Sequence, residues 1–188
     1  MNVFEFLLIT VSIVLGLSIA ELLAGVGRLL RGDLQWGKLH SLWVLIIFQI
    51  QVQLAWGIWG LQGREAWRYP EFILMLLAPA ILYMAAAVLF PQSGEVPADE
   101  YLIGRRRPLF LLMAAYVVQT GFMATLLMGE APLWAPTVSR AVATTAFVVL
   151  AVSDDRRVHW ALAPVILASN LWYTYVFTFL VAGPTGNP

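Results

Sequence analysis

The chain has 188 residues, of which 61% are hydrophobic and 12% charged, and its formal net charge is zero. Soluble domains are about 25% charged, so this composition excludes an ordinary soluble fold. Zero net charge with no basic stripe excludes a nucleic-acid partner, and the lack of cysteine removes disulfides, thiolate chemistry and cysteine-ligated metals.

Six stretches are predominantly apolar over the roughly 20 residues that a helix needs to cross ~30 Å of hydrocarbon. They are residues 3–30, 39–61, 72–90, 109–128, 133–152 and 158–182. The expected fold is an all-α integral membrane protein, a bundle of six transmembrane helices forming one polytopic domain over residues 1–188. The first stretch has no Lys or Arg before Arg28 and is about twice as long as the apolar core of a signal peptide, so it is expected to stay in the mature protein.

Along that first span Leu8, Val11, Leu15, Leu22, Val26 and Leu29 form an aliphatic face suited to lipid. Across from it run Ser12, Gly16, Ala20 and Ala24, spaced by four, which predicts close helix packing through the small residues. Glu21 and Arg28 share a neighbouring face and are expected to pair, while Glu5 lies near the opposite end. A charge in the hydrocarbon costs about 2.5–3.5 kcal/mol on insertion scales, so Glu21 is also the natural titratable group of any ion or proton route.

In the second span Gln49, Gln53, Trp56 and Gly60 lie on one side, with Gln51 and His40 on the other. An amide facing hydrocarbon unpaired costs several kcal/mol, so both sides must meet protein or water. Pro79 removes a backbone hydrogen bond and is expected to kink the third span. Pro97, Asp99 and Glu100 look like the start of a short helix leading through Arg105, Arg106 and Arg107 into the fourth span. Arg140 lies two turns inside the fifth span, where it would pair with Glu5 or snorkel.

Basic residues choose a side. Arg28, Arg31, Lys38, Arg105, Arg106, Arg107, Arg156 and Arg157 lie in odd connections, against Arg64 and Arg68 in the second. The positive-inside rule then places odd loops in the cytoplasm and both termini outside. Trp36, Trp43, Trp59, Trp67, Trp134 and Trp160 fall near span ends, as interfacial tryptophans do. Ten arginines to one lysine suggest a bacterial source, hence the inner membrane.

When the spans are aligned by their centres, Gln49, Gln51, Gln119, Thr144 and Asn170 fall near one depth, with Gln53 a turn away. Two uses compete: interhelical hydrogen bonds worth ~0.6 kcal/mol each, or the lining of a solute site at the depth where transporters bind substrate. The favoured expectation is a non-enzymatic, channel- or transporter-like protein with Glu21, Gln49, Gln53, Gln119, Thr144 and Asn170 on its pathway. It would work as a homo-oligomer or with other membrane subunits. The alternative is an accessory or scaffold subunit of a larger membrane complex. A cytochrome or a lipid-modifying enzyme ranks third: His40 and His159 lie at one level, where two such histidines can ligate a haem b, and the paired carboxylates of the charged turn Asp154–Arg157 could hold Mg²⁺ for chemistry on a lipid phosphate. No motif specifies a reaction, and no other cofactor or metal is expected.

Overall fold

A computed structural model describes residues 3–62, 64, 66–92, 96–128 and 135–175. Among the described residues there are seven helices and no strands: α1 (Val3–Arg31), α2 (Lys38–Trp59), α3 (Tyr69–Leu89), α4 (Ala98–Gly104), α5 (Arg106–Met128), α6 (Ala135–Val152) and α7 (Arg156–Tyr173). Four of them, Val3–Arg31, Lys38–Trp59, Tyr69–Leu89 and Arg106–Leu127, are long and apolar enough to cross a membrane. The apolar part of α6, Val138–Val152, is shorter. Residues 133–134 and 176–182 of the expected fifth and sixth spans lie outside the described residues.

The helix ends follow from local chemistry. α1 closes with Arg28 and Arg31 in its last turn, where cations suit the dipole. Gly32 follows at φ 81°, a left-handed conformation that glycine adopts without a Cβ penalty. The Asp33 and Gly32 amides then donate back to the carbonyls of Arg28 (3.0 Å) and Leu29 (3.1 Å), satisfying the end of the helix. α2 begins after Gly37, which has no side chain to cap it. The cap comes from α4 instead: Asp99 Oδ1 accepts from the His40 amide at 2.8 Å. Glu71 Oε2 accepts from the Arg68 amide before α3, and Asp155 Oδ1 from the Arg157 amide at α7, both at 2.8 Å. The Asp154–Arg157 cluster is thus the start of a helix. The short helix expected near Pro97 is α4, but it ends at Gly104, and Arg106 and Arg107 already belong to α5.

Four helices pack in a row, α1 beside α3, α3 beside α5, and α5 beside α6. α2 packs over this row against α1, α3 and α4, and α7 closes onto α2 and α6. α1 and α3 run parallel. Phe4 stacks on Trp67 and Phe6 on Phe72 at one end, while Arg28 reaches the Pro91 carbonyl at the other (3.0 Å). α3 runs through Pro79 without a break.

The faces of α1 are the reverse of those expected. Leu7, Val11, Leu15, Ser18, Leu22, Gly25 and Leu29 are buried, whereas Ser12, Gly16, Ala20 and Ala24 are exposed, and a Cβ on Gly16 would meet nothing. The physical reason is that aliphatic side chains interlock with α2 and α3, filling space the small residues cannot. In lipid, hydrophobicity alone does not say which face turns inward. A second correction concerns Trp43, which is fully buried rather than interfacial. Its ring packs on Phe110 (4.7 Å between centroids) and Phe147 (6.1 Å), binding α2 to α5 and α6. Such pairs contribute about 0.5–1.5 kcal/mol beyond burial.

Candidate functional site

The amides expected to share one pathway are divided among three helix junctions. Between α1 and α2, Gln51 Nε2 donates to Ser18 Oγ at 2.8 Å, and both residues are fully buried. Between α2 and α7, Asn170 Nδ2 donates to Gln53 Oε1 at 2.7 Å. Between α3 and α5, Gln119 Nε2 donates to the Leu74 carbonyl at 2.6 Å, beside the Met75 carbonyl whose helical donor Pro79 lacks. Thr144 returns its hydroxyl to the Arg140 carbonyl of its own helix (2.8 Å), and Gln49 is half-buried. Of the six expected pathway residues the structure brings together only Gln53 and Asn170. The two-sided polarity of α2 is accounted for, since Gln51 faces α1 and Gln53 faces α7. Each junction also keeps an acceptor in reserve. Gln51 Oε1, Gln119 Oε1 and Asn170 Oδ1 are buried with no hydrogen-bond partner among the described residues.

Glu21 and Arg28 do not pair. Arg28 lies two turns further along α1 and spends Nη1 on the Pro91 carbonyl just past the end of α3, a nearer acceptor with no helical donor. Glu21 is half-buried, and among the described residues no ion pair includes it. It lies four residues, ~6 Å, from the middle of α1. Glu5 is exposed at the start of α1, and Arg140 donates to the Tyr173 hydroxyl on α7 at 3.3 Å.

Both histidines are buried, His40 beside Phe90 and His159 beside the Trp43–Phe110–Phe147 cluster. His40 packs edge-on against Phe90 (5.0 Å) and His159 against Phe110 (5.3 Å), the ring that also meets Trp43. His40 Nε2 lies 3.0 Å from the Leu89 carbonyl and His159 Nε2 2.9 Å from the Ser153 carbonyl. A carbonyl only accepts, so each Nε2 carries its hydrogen. The Nε2 nitrogens are thus engaged, while each Nδ1 is buried with no hydrogen-bond partner among the described residues, and Phe90 and Phe110 pack on the rings. Among the described residues no group of three or more His, Asp or Glu side chains is placed to hold a metal ion.

Two polar anchors escape a reading of the sequence. Asp99, the distant cap of α2, is foreshadowed only by the bare Gly37 before that helix. Arg64 is the other. Its guanidinium meets Glu71 Oε1 at 2.6 Å, the Leu127 carbonyl at 3.3 Å and the Ala66 carbonyl at 3.0 Å, and lies over the Trp67 ring. This side chain joins the α2–α3 connection to α3 and to the end of α5.

The chain matches no protein-family model, no curated protein and no solved structure. What the fold defines is a class: an all-helical bundle with at least four helices suited to a membrane, tied together by interhelical amides.

Proposed function

We propose that the chain is a non-enzymatic interaction subunit of the bacterial inner membrane, binding another membrane polypeptide through the outward face of α1. In this reading α1, α2, α3, α5, α6 and α7 all cross the bilayer, with both termini outside. α6 and α7 are each 18 residues, ~27 Å of helix, and the sequence beyond α7 stays apolar to Ala182. Eight basic residues at the α1–α2, α3–α5 and α6–α7 connections support a cytoplasmic placement of that end.

The observation that carries the reading is Glu21. Ionisable residues in membrane spans almost always meet a partner or line a cavity, and among the described residues no ion pair includes this one. It borders the exposed Ala20 and Ala24, beside Ser12 and Gly16, a stripe that lets a foreign helix approach closely. A second copy of the chain would not supply the missing cation. Its basic residues cluster at helix ends, except Arg140, which lies toward the other side and serves Tyr173. A donor from a different polypeptide is the better complement.

Native mass spectrometry after gentle extraction tests this. A defined heteromer is expected, lost in Glu21→Gln and in Ala20→Trp but kept in Val152→Trp, an exposed position far from the stripe. A wild-type chain with only its own mass, or a heteromer indifferent to Ala20→Trp, would retire the proposal.

A second reading, passage of a small polar solute or ion, draws on the three buried amide oxygens with no donor among the described residues. It predicts flux in reconstituted vesicles that falls in Asn170→Leu, in Gln119→Leu and in Glu21→Gln. Wild-type flux in all three would dismiss it.

A further inference from the structure

Between α1 and α2 the chain leaves an open groove of about 300 Å³. Leu22, Val26 and Leu29 form one wall and Val44 and Phe48 the other. The only polar group in the lining besides the Trp36 indole is Ser41, whose hydroxyl is spent on the Gly37 carbonyl (2.8 Å). We propose that this groove holds one acyl chain of a phospholipid whose phosphate sits at Lys38. The inference rests on the membrane reading above but not on the partner or on the orientation.

Three features point to this occupant. Leu22 to Leu29 extend ~10 Å along the helix axis, within the ~15 Å half-thickness of the hydrocarbon. Spread over that ~10 Å, about 300 Å³ is room for a single hydrocarbon chain and not for a whole helix, which is 10–12 Å across with its side chains. The end of the groove toward the α1–α2 connection is marked by headgroup chemistry. Trp36, 59% exposed, lines that mouth, and amphipathic rings of this kind favour the interface.

Lys38 is exposed and lies one turn before Ser41, on the stripe that continues through Leu45 to Phe48. The neighbouring charges are committed. Arg31 pairs with Asp33 at 3.0 Å, Arg28 binds the Pro91 carbonyl, and Asp99 caps the His40 amide. Lys38, one turn beyond the lining, is therefore the neighbouring cation for which no ion pair or side-chain hydrogen bond is found among the described residues, and it complements a lipid phosphate.

The test is native mass spectrometry of the chain released from bilayers containing phosphatidylglycerol, or diacylglycerol with the same two tails. One phospholipid per chain is expected. Retention should fall about fivefold in Lys38→Gln, and similarly for the phosphate-free diacylglycerol. It should fall about tenfold or more in Val26→Trp and, independently, in Val44→Trp, which fill the groove from opposite walls. Each variant is taken at an unchanged thermal midpoint. Wild-type retention in both tryptophan variants overturns the assignment, as does a homodimer found in place of lipid and broken by them. A chain that never sediments with membranes would defeat the membrane reading itself. One that inserts but carries no lipid would defeat only the groove.

Discussion

Gly25 and Gly16 look alike in the sequence, each a small residue in an apolar helix, and the structure gives them opposite meanings. A Cβ on Gly25 would fall into the buried Phe90 ring, whereas a Cβ on Gly16 would touch nothing. Gly25→Ala is therefore expected to cost about 1–3 kcal/mol through overpacking. Gly16→Ala should be neutral or slightly stabilising, because alanine is the better helix former. Thermal midpoints in one detergent decide it, and equal midpoints would mean that Phe90 gives way. The distinction was not legible from spacing, since what separates the two glycines is a ring 65 residues away in the chain. Arg64 poses the same problem. Nothing local announces that its partners are Glu71 and the last turns of α5. Because this pair is largely shielded from solvent, Glu71→Gln should leave the guanidinium without its carboxylate and lower the midpoint more than Arg31→Gln, whose pair is more than half exposed.

For whole helices, the sequence shows where polar groups must be satisfied but not by whom. The opposed amides of α2 require protein on both sides, and Ser18 of α1 and Asn170 of α7 provide it. Which face of α1 turns inward is not legible in the sequence for a general reason: in an apolar solvent, shape decides packing and hydrophobicity is silent. A double-mutant cycle on Gln53→Leu and Asn170→Leu should give a coupling of about 0.6 kcal/mol, and at most ~1.7. A coupling indistinguishable from zero would mean the two amides do not meet. At the start of α2, Asp99→Ala should cost about 0.5–2 kcal/mol, the usual loss when a helix forfeits its cap. The same change should loosen α4, so amide exchange in residues 98–104 is expected to quicken with it. Unchanged exchange there would separate the cap from the anchoring of α4.

The threading of the entire molecule can be tested cleanly, because a chain without cysteine gives no background labelling. Asp33→Cys and Asp155→Cys are expected to react only with a thiol reagent on the cytoplasmic side, and Ala66→Cys only with one outside. The reverse pattern would invert the orientation and leave the bundle untouched. The order of the helices within the bundle has a separate consequence for its birth. α1 packs chiefly against α3, its parallel neighbour, rather than against the α2 that follows it. Synthesis at ~5–20 residues per second separates the end of α1 from the end of α3 by roughly 3–12 s. Through that interval the aliphatic face of α1 has no permanent companion, and α2 must settle beside it without occupying the place reserved for α3. In the membrane reading, lipid stands along Leu7, Val11 and Leu15 until α3 arrives, and the yield of folded protein depends on α3 displacing it there.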